Sequence, residues 1–348
     1  MEKEEKALPR ELKDSHGRTV RYLRISVTDR CNLCCRYCRT REVPFIAHEK
    51  ILRFEEMEEV LQLAVNFGVH KLRLTGGEPF ARKGFMNFLK NLRLRFPQLT
   101  LKLTTNGTLI SSYLKDLKEL DVSVNLSLDS LDRERFAAIT RRDMLPLVLD
   151  NLQRMLDLGI PLKINAVAMH GINEADLPAL ASLAMDHPVD VRFIEFMPMG
   201  DESIWSKDSF WPAAQILEAA RKHWRLEAVR NSGGSTDADT ARERGPARLW
   251  KLRTPDGRLS QGNFGLITSV SQSFCHSCNR LRLTADGHLR TCLFDDREYS
   301  IRDVLRNEGP EAVARIMAEA VASKPVGAEI FAARRGPVAR KRMSAIGG

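Results

Sequence analysis

The chain has 348 residues, 43% of them hydrophobic and 28% charged, the values of an ordinary soluble protein with one large domain or one large and one smaller. No run of about 18 apolar residues is present, so no membrane-spanning helix is expected, and the charged opening MEKEEKALPRELKD does not read as a secretory signal, so a cytoplasmic location is expected. The net charge of +9 suits nucleic acid, an anionic membrane or a phosphorylated small molecule, and the bulk number does not choose among them.

Residues 1–17 read as a solvated N-terminal tail. From 22 to 196 short apolar runs alternate with amphipathic stretches. The runs YLRISVT (22–28), KLRLT (71–75), LKLTT (101–105), VSVNLSL (122–128), LKINAVAM (162–169) and VRFIEF (191–196) predict strands. Helices are expected over 54–67, 85–96, 112–120, 145–159 and 176–186. Six strand–helix alternations predict an α/β fold with a parallel sheet, over 18–200 a partial (β/α)6 TIM-type barrel, although a doubly wound sheet gives a similar string. After Gly200 the rhythm changes. A helical stretch near 210–224 precedes a Gly/Ser/Asp/Arg-rich loop at 231–246. Strand-like pieces follow at 263–270 and 281–294, the second turning at Asp286-Gly287. Residues 201–348 are therefore expected to form a second region, ending in Gly347-Gly348.

Ligands of a parallel α/β sheet sit at the carboxyl ends of its strands. The loops there are DRCNLCCRYC, GGEP, TNG, SLDS, MHG and MPMG, and they hold most of the chemically interesting residues. The seven cysteines fall into two tight groups, which points to metal or cluster ligands rather than disulfides. Cys31, Cys35 and Cys38 form C-x3-C-x2-C. Three thiolates on one loop hold three corners of a 4Fe–4S cluster and leave one iron open; the alternative is a structural zinc with Cys34 as fourth ligand. Neighbouring Cys34 and Cys35 point different ways, so Cys34 is read as a bystander. Cys275, Cys278 and Cys292 form a second trio, for which His276 or His288 completes a Cys3His zinc site in the alternative reading.

Arg280 and Arg282 follow, and on a strand they face one side. Two guanidiniums beside a cluster suit a phosphate chain. Arg24, Arg73, Lys163 and Arg192 lie on four different predicted strands, where alternate positions point to a common lumen. Such charges need an anion, for which a triphosphate serves, or pair with Asp and Glu.

The C-x3-C-x2-C loop with Tyr37 before its last cysteine, followed after the second strand by Gly76-Gly77-Glu78-Pro79, resembles the radical S-adenosylmethionine (SAM) superfamily. Glycines let backbone approach a ligand, and a carboxylate suits the methionine ammonium. The strings LRISVTDRCNLCCRYC, KLRLTGGEP, LTTNG, NLSLDS, RFIEFMPMG, FGLITSVSQSFCHSCNRLRLTADG and the final IGG resemble the GTP 3′,8-cyclase family of molybdenum-cofactor biosynthesis. That resemblance implies two 4Fe–4S clusters, one on Cys31, Cys35 and Cys38 and one on Cys275, Cys278 and Cys292. It implies SAM contacts at Tyr37, Gly77, Ser127 and Met197. GTP contacts are implied at Arg24, Arg73, Thr104, Lys163, Arg192, Arg280, Leu281 and Arg282, with Lys71 beside them. Arg280, Arg282, Gly347 and Gly348 are implied to be catalytic, the glycines as a tail reaching the active site. The resemblance also implies an electron donor and product transfer to a cyclic pyranopterin monophosphate synthase, with neither nucleic acid nor membrane as partner; a homodimer is compatible with it. Arg39-Thr40, where the family usually has Met-Pro, and Cys34 depart from the pattern without removing a ligand. Two readings compete: a peptide-modifying radical SAM enzyme, and a zinc or nucleic-acid-binding protein.

Overall fold

The computed structural model describes residues 8–39, 44–200, 204–229, 245–333 and 343–347. Thr40, Gly348 and all but the last two residues of the expected 231–246 loop lie outside the described residues.

In chain order the first elements are β1 (Tyr22–Ser26), α1 (Phe54–Asn66), β2 (Lys71–Thr75), α2 (Phe85–Arg95), β3 (Thr100–Thr105) and α3 (Leu114–Glu119). Then come β4 (Ser123–Ser127), α4 (Arg133–Thr140), α5 (Leu145–Asp157), β5 (Leu162–Ala168), α6 (Leu177–Asp186) and β6 (Asp190–Glu195). They are followed by α7 (Ala213–Arg221), β7 (Arg225–Ala228), β8 (Arg248–Arg253), β9 (Asn263–Ile267), β10 (Arg280–Leu283), β11 (His288–Arg290) and β12 (Tyr299–Ser300). Last are α8 (Ile301–Glu308), α9 (Pro310–Ala322), α10 (Gly327–Ala333) and α11 (Met343–Ile346). The six runs expected as strands are β1 to β6. Helix α4 was not expected. Its N-cap Asp132 accepts a hydrogen bond from Arg135 N at 2.7 Å, and its Phe136, Ile139 and Thr140 are buried on one face.

Apolar spacing explains the elements. In α5, Leu145, Val148, Leu152 and Met155 are buried at helical intervals. In β5 burial alternates over all seven residues: Leu162, Ile164, Ala166 and Ala168 are buried, while Lys163, Asn165 and Val167 are half-buried. The second face is thus free to be polar, and this is where the site residues collect.

The chain divides into two compact units, with the cut inside β3. One comprises Met1–Arg30, Pro44–Leu101 and Cys275–Gly348; the other comprises Cys31–Val43 and Lys102–Phe274. In the first, β1 runs parallel to β2 on one side and to β10 on the other, and β10, β11 and β12 continue antiparallel. Gly287, at φ +80°, makes the β10–β11 turn. In the second, β3 to β6 pair in sequence, all parallel; β9 joins β6 in parallel, and β8 and β7 extend that edge antiparallel. The run expected at 263–270 therefore continues a parallel sheet. Among the described residues no helix is long and apolar enough to cross a membrane.

Candidate active site

In the second unit the first cysteine loop is tied to the end of α4: Cys34 N donates to Thr140 O at 3.0 Å and Arg36 N to Ile139 O at 2.9 Å. All four cysteines of the loop are half-buried and unbridged. The Cys31 sulfur accepts from Leu33 N at 3.4 Å and from Asn106 Nδ2 at 3.6 Å. Asn106 comes from the TNG loop after β3, and it also donates to Asn32 Oδ1 at 3.1 Å. Cys34 turns its thiol to Arg39 O at 3.5 Å. Burial, then Asp129, Cys38 and Cys31, hold the Cys35 thiol well above its ordinary pKa. A buried thiol flanked by two further sulfurs gains most from a soft cationic partner.

Tyr37 donates from its hydroxyl to Asp129 Oδ2 at 2.7 Å, and its ring stands edge-on to Phe196 with centroids 6.4 Å apart. The other Asp129 oxygen accepts from Val167 N at 2.8 Å. Burial outweighs both bonds and raises the Asp129 carboxyl to about 6. Ser127 ends β4 and is half-buried; Met197 lies two residues beyond β6, also half-buried. Asp129 follows Ser127 in the SLDS loop, and sequence reasoning assigned it no role.

On the polar face of this unit the strand register aligns Thr104, Asn125, Lys163, Asp190 and Asn263 in one row. Ser127, Asn165, Arg192 and Gly265 form the next. Lys163 and Arg192 are both paired with a carboxylate: Asp190 Oδ2 lies 3.7 Å from Lys163 Nζ and accepts from Arg192 Nη2 at 2.7 Å. Burial raises the Asp190 pKa, but Arg192, Asn263 and Lys163 together bring it below the ordinary value. Gly265 keeps the row open, since a Cβ there would meet Arg192 Cγ at 3.0 Å.

The first unit concentrates positive charge. Its register places Lys71, Tyr22 and Arg280 side by side on β2, β1 and β10, and Arg73, Arg24 and Arg282 side by side in the next row. Neighbouring strands are about 4.8 Å apart, and like charges directly opposite repel. Loss of hydration first, then Arg282, Arg73 and Arg280, push the Arg24 guanidinium well below its ordinary pKa. Burial and Arg280 bring Arg282 to about 10. Tyr22, to which sequence reasoning gave no role, accepts a short hydrogen bond from Arg73 Nε. Burial raises its phenol, but Arg73 and Arg24 win and bring it to about 7. Leu281 lies between the two arginines of β10 with its side chain fully buried on the opposite face.

Gly347 lies over the end of these rows. Its carbonyl accepts from Arg282 Nη1 at 2.6 Å, and a Cβ on it would come within 3.0 Å of Ser26 Cβ and Thr75 Cγ2. Gly76 and Gly77 also answer to a close approach within the protein. A Cβ on Gly76 would meet Thr28 O at 2.5 Å, and one on Gly77 would collide with Arg30 O. The two glycines therefore let 76–78 run against the backbone of 28–30, to which Gly77 N donates at Thr28 O, 2.7 Å, and Glu78 N at Arg30 O, 2.8 Å. Glu78 is fully buried and accepts from Phe80 N at 3.3 Å.

The second trio is in this unit too. Cys275 and Cys278 flank one turn and Cys292 follows β11, all half-buried. Burial raises the Cys278 thiol, but Lys324, Arg280 and Arg18 pull it down to about 7. A Cβ on Gly327 would press on Cys292 Sγ at 2.7 Å and lie 3.5 Å from Cys275 Sγ. A side chain is excluded where those two sulfurs face a common space, and three thiols amid cations suit an anionic iron–sulfur group. His276 is exposed, and among the described residues no three His, Cys, Asp or Glu side chains converge tightly enough to enclose a single metal ion.

A parallel α/β sheet, a three-cysteine loop and a glycine pair after the second strand define the radical SAM class. Residues 25–184 match the family model of the Radical SAM superfamily, and residues 189–330 that of Molybdenum Cofactor Synthesis C. A protein named GTP 3′,8-cyclase from Pelotomaculum thermopropionicum is 42% identical over 97% of this chain and 100% of its own length. Namesakes from Alkaliphilus oremlandii (90% of this chain, 93% of theirs) and Listeria welshimeri (97% and 99%) are each 37% identical. The chain belongs to the GTP 3′,8-cyclase family. The crystal structure of Streptococcus suis SuiB, with a TM-score of 0.61 and 16% identity over 92% of this chain and 70% of that one, shares its fold.

Proposed function

We propose that the chain cyclises GTP to (8S)-3′,8-cyclo-7,8-dihydroguanosine 5′-triphosphate, joining ribose C3′ to guanine C8 in the first step of molybdenum-cofactor synthesis. The observation that carries this reading is the pair of cationic rows. Arg24, Arg73 and Arg282 in register, with Lys71 and Arg280 beneath, call for a polyanion, and a triphosphate offers one through charge-assisted bonds. Cys31, Cys35 and Cys38 hold one 4Fe–4S cluster and Cys275, Cys278 and Cys292 the other.

Cys31, Cys35 and Cys38 would hold the first cluster, which together with SAM would supply 5′-deoxyadenosyl radical chemistry for abstraction of the ribose hydrogen. The protein's part is binding, orientation and exclusion of water. Tyr37, fixed by Asp129, and Ser127, Met197 and Gly77 serve SAM. Arg24, Arg73, Arg280 and Arg282 bind phosphate, with the Leu281 backbone between them. Thr104, Lys163 and Arg192 add nucleotide contacts, Lys163 and Arg192 sharing their charge with Asp190. Gly347, on Arg282, orders that guanidinium from behind, and Gly348 continues the tail. The protein works in the cytoplasm, takes its electron from a separate donor and hands its product to a cyclic pyranopterin monophosphate synthase.

Anaerobic protein reconstituted with iron and sulfide is incubated with GTP, SAM and dithionite. The reading expects 5′-deoxyadenosine and a cyclised guanosine triphosphate by mass spectrometry. Deoxyadenosine without cyclised nucleotide overturns the substrate. Neither product, from protein holding about eight irons as two four-iron clusters require, overturns the activity.

A further inference from the structure

The three segments that carry the second cysteine trio hang on two buried cations. Arg18, 4% exposed, donates from Nη1 to the Cys275 carbonyl at 2.8 Å. Its Nη2 donates to the carbonyls of Lys324 at 2.9 Å and Pro325 at 3.0 Å, and Asp14 holds its Nε at 2.5 Å. Lys324 is 1% exposed. Its Nζ donates to the Arg280 carbonyl at 3.0 Å and, over a short bond, to that of Thr291. Arg280 comes two residues after Cys278, and Thr291 directly precedes Cys292. Each cysteine segment is thus fastened by a cation.

The two cations differ in one respect. Arg18 has a carboxylate; among the described residues Lys324 has only carbonyls. A buried ammonium without a counter-charge is costly, and carbonyl dipoles answer only part of that cost. Its two carbonyl partners lie on the segments that lead out of Cys278 and into Cys292, so the groups along those segments able to carry a compensating negative charge are the cysteine sulfurs.

We propose that Lys324 is the buried counter-charge of the second cysteine trio, positioning the Cys278 and Cys292 segments and favouring the more electron-rich state of the iron–sulfur group they hold. This rests on the cluster assignment above but not on GTP as substrate. Cation charge and bonds beside a sulfur-ligated cluster are among the levers that set its potential.

The test uses the full-length chain with Cys31, Cys35 and Cys38 all replaced by Ala, so that only the second trio binds iron. This parent is compared with the same chain carrying Lys324→Met or Lys324→Arg, after anaerobic reconstitution. Two readouts are taken, neither involving GTP or SAM: iron retained against a chelator, and the midpoint of a one-electron titration with dithionite followed by electron paramagnetic resonance. Lys324→Met is expected to shift the midpoint to lower potential and to weaken iron retention by about 10–100-fold, and Lys324→Arg to restore both toward the parent. A midpoint and retention unchanged in Lys324→Met overturn the proposal. So does Lys324→Arg behaving like Lys324→Met, because charge is then not the cause. If Lys324→Met loses its cooperative unfolding transition, Lys324→Gln, which keeps a donor for the carbonyls, is read by the same criteria. A parent that takes up no iron overturns this proposal together with the second cluster, whereas loss of GTP cyclisation alone leaves it standing.

Discussion

Replacing Arg24 by Met separates a ligand-binding charge from a structural one, because the two predict opposite signs for stability. Arg24 stands in register between Arg73 and Arg282 on strands about 4.8 Å away. Two unit charges at that spacing repel by about 3 kcal/mol at an effective dielectric of 20. Discounted for the partial exposure of Arg24 and for the attraction of Tyr22, relief from both neighbours leaves a gain of about 1–2 kcal/mol for the ligand-free protein. For a chain of this size that raises the unfolding temperature by a few degrees. The same change deletes a charge-assisted contact to phosphate of about 1.5–3 kcal/mol, so GTP affinity falls by about 10–150-fold. Thermal unfolding with and without GTP, together with calorimetric titration, reads both sides. A variant that melts lower than wild type without ligand, yet binds GTP with unchanged affinity, refutes the reasoning.

Tyr22 gives a pH signature. Its folded-state pKa of about 7 lies below the free value of 10, so ionisation stabilises the fold. That stabilisation is complete above pH 10 and lost as pH falls through 7; unfolding measured from pH 6 to 10 is expected to show it in wild type and not in Tyr22→Phe, with Lys71, Arg24, Arg73 and Arg280 kept intact. Gly347→Ala puts a Cβ 3.0 Å from Ser26 and Thr75 at a φ of +72°. A cost of about 1–2 kcal/mol against the docked tail follows, read as faster proteolytic removal of the C-terminus and undone if cleavage is as slow as in wild type. Asp129→Ala strands the Tyr37 hydroxyl and the Val167 N–H in a buried place and is expected to lose about 2–4 kcal/mol in denaturant unfolding. Asp129→Asn keeps an acceptor and is expected to lose less than half of that; equal losses in the two variants count against the pair.

The alternation that produced β1 to β6 was legible because each strand has one apolar and one polar face, as in LKINAVA. Helix α4 was missed although Asp132 offered a cap, because the run RERFAAIT carries little apolar amphipathicity. Both cysteine trios and the RLR strand could be read from spacing alone. Partnership could not: Asp190 neutralises Lys163 and Arg192 only because β5 and β6 fall into a particular register, and a linear string does not contain register. The same holds for Tyr22, two positions from Arg24 and so on its face, whose bond to Arg73 depends on β2 aligning as it does. Gly76 and Gly77 were visible as a motif, yet their reason, the close passage of 28–30, is a contact between segments some 50 residues apart. Lys324 carried no signal at all, since an isolated lysine in a helix-rich stretch reads as surface.

The pairing of β1 with β10 joins residues about 260 positions apart, and it governs when the protein assembles its cationic rows during synthesis. At about 5–20 residues per second, β1 leaves the ribosome roughly 10–50 s before its partner exists. Residues 102–274, by contrast, contain β4 to β9 and their pairings in one stretch. A nascent or prematurely ended chain that stops before 275 therefore has the means to fold its second unit while possessing neither Arg280 nor Arg282, nor any cysteine of the second trio. The first-made strand waits with an open edge for the last-made fifth of the chain, so translation must run nearly to completion before the cationic rows close.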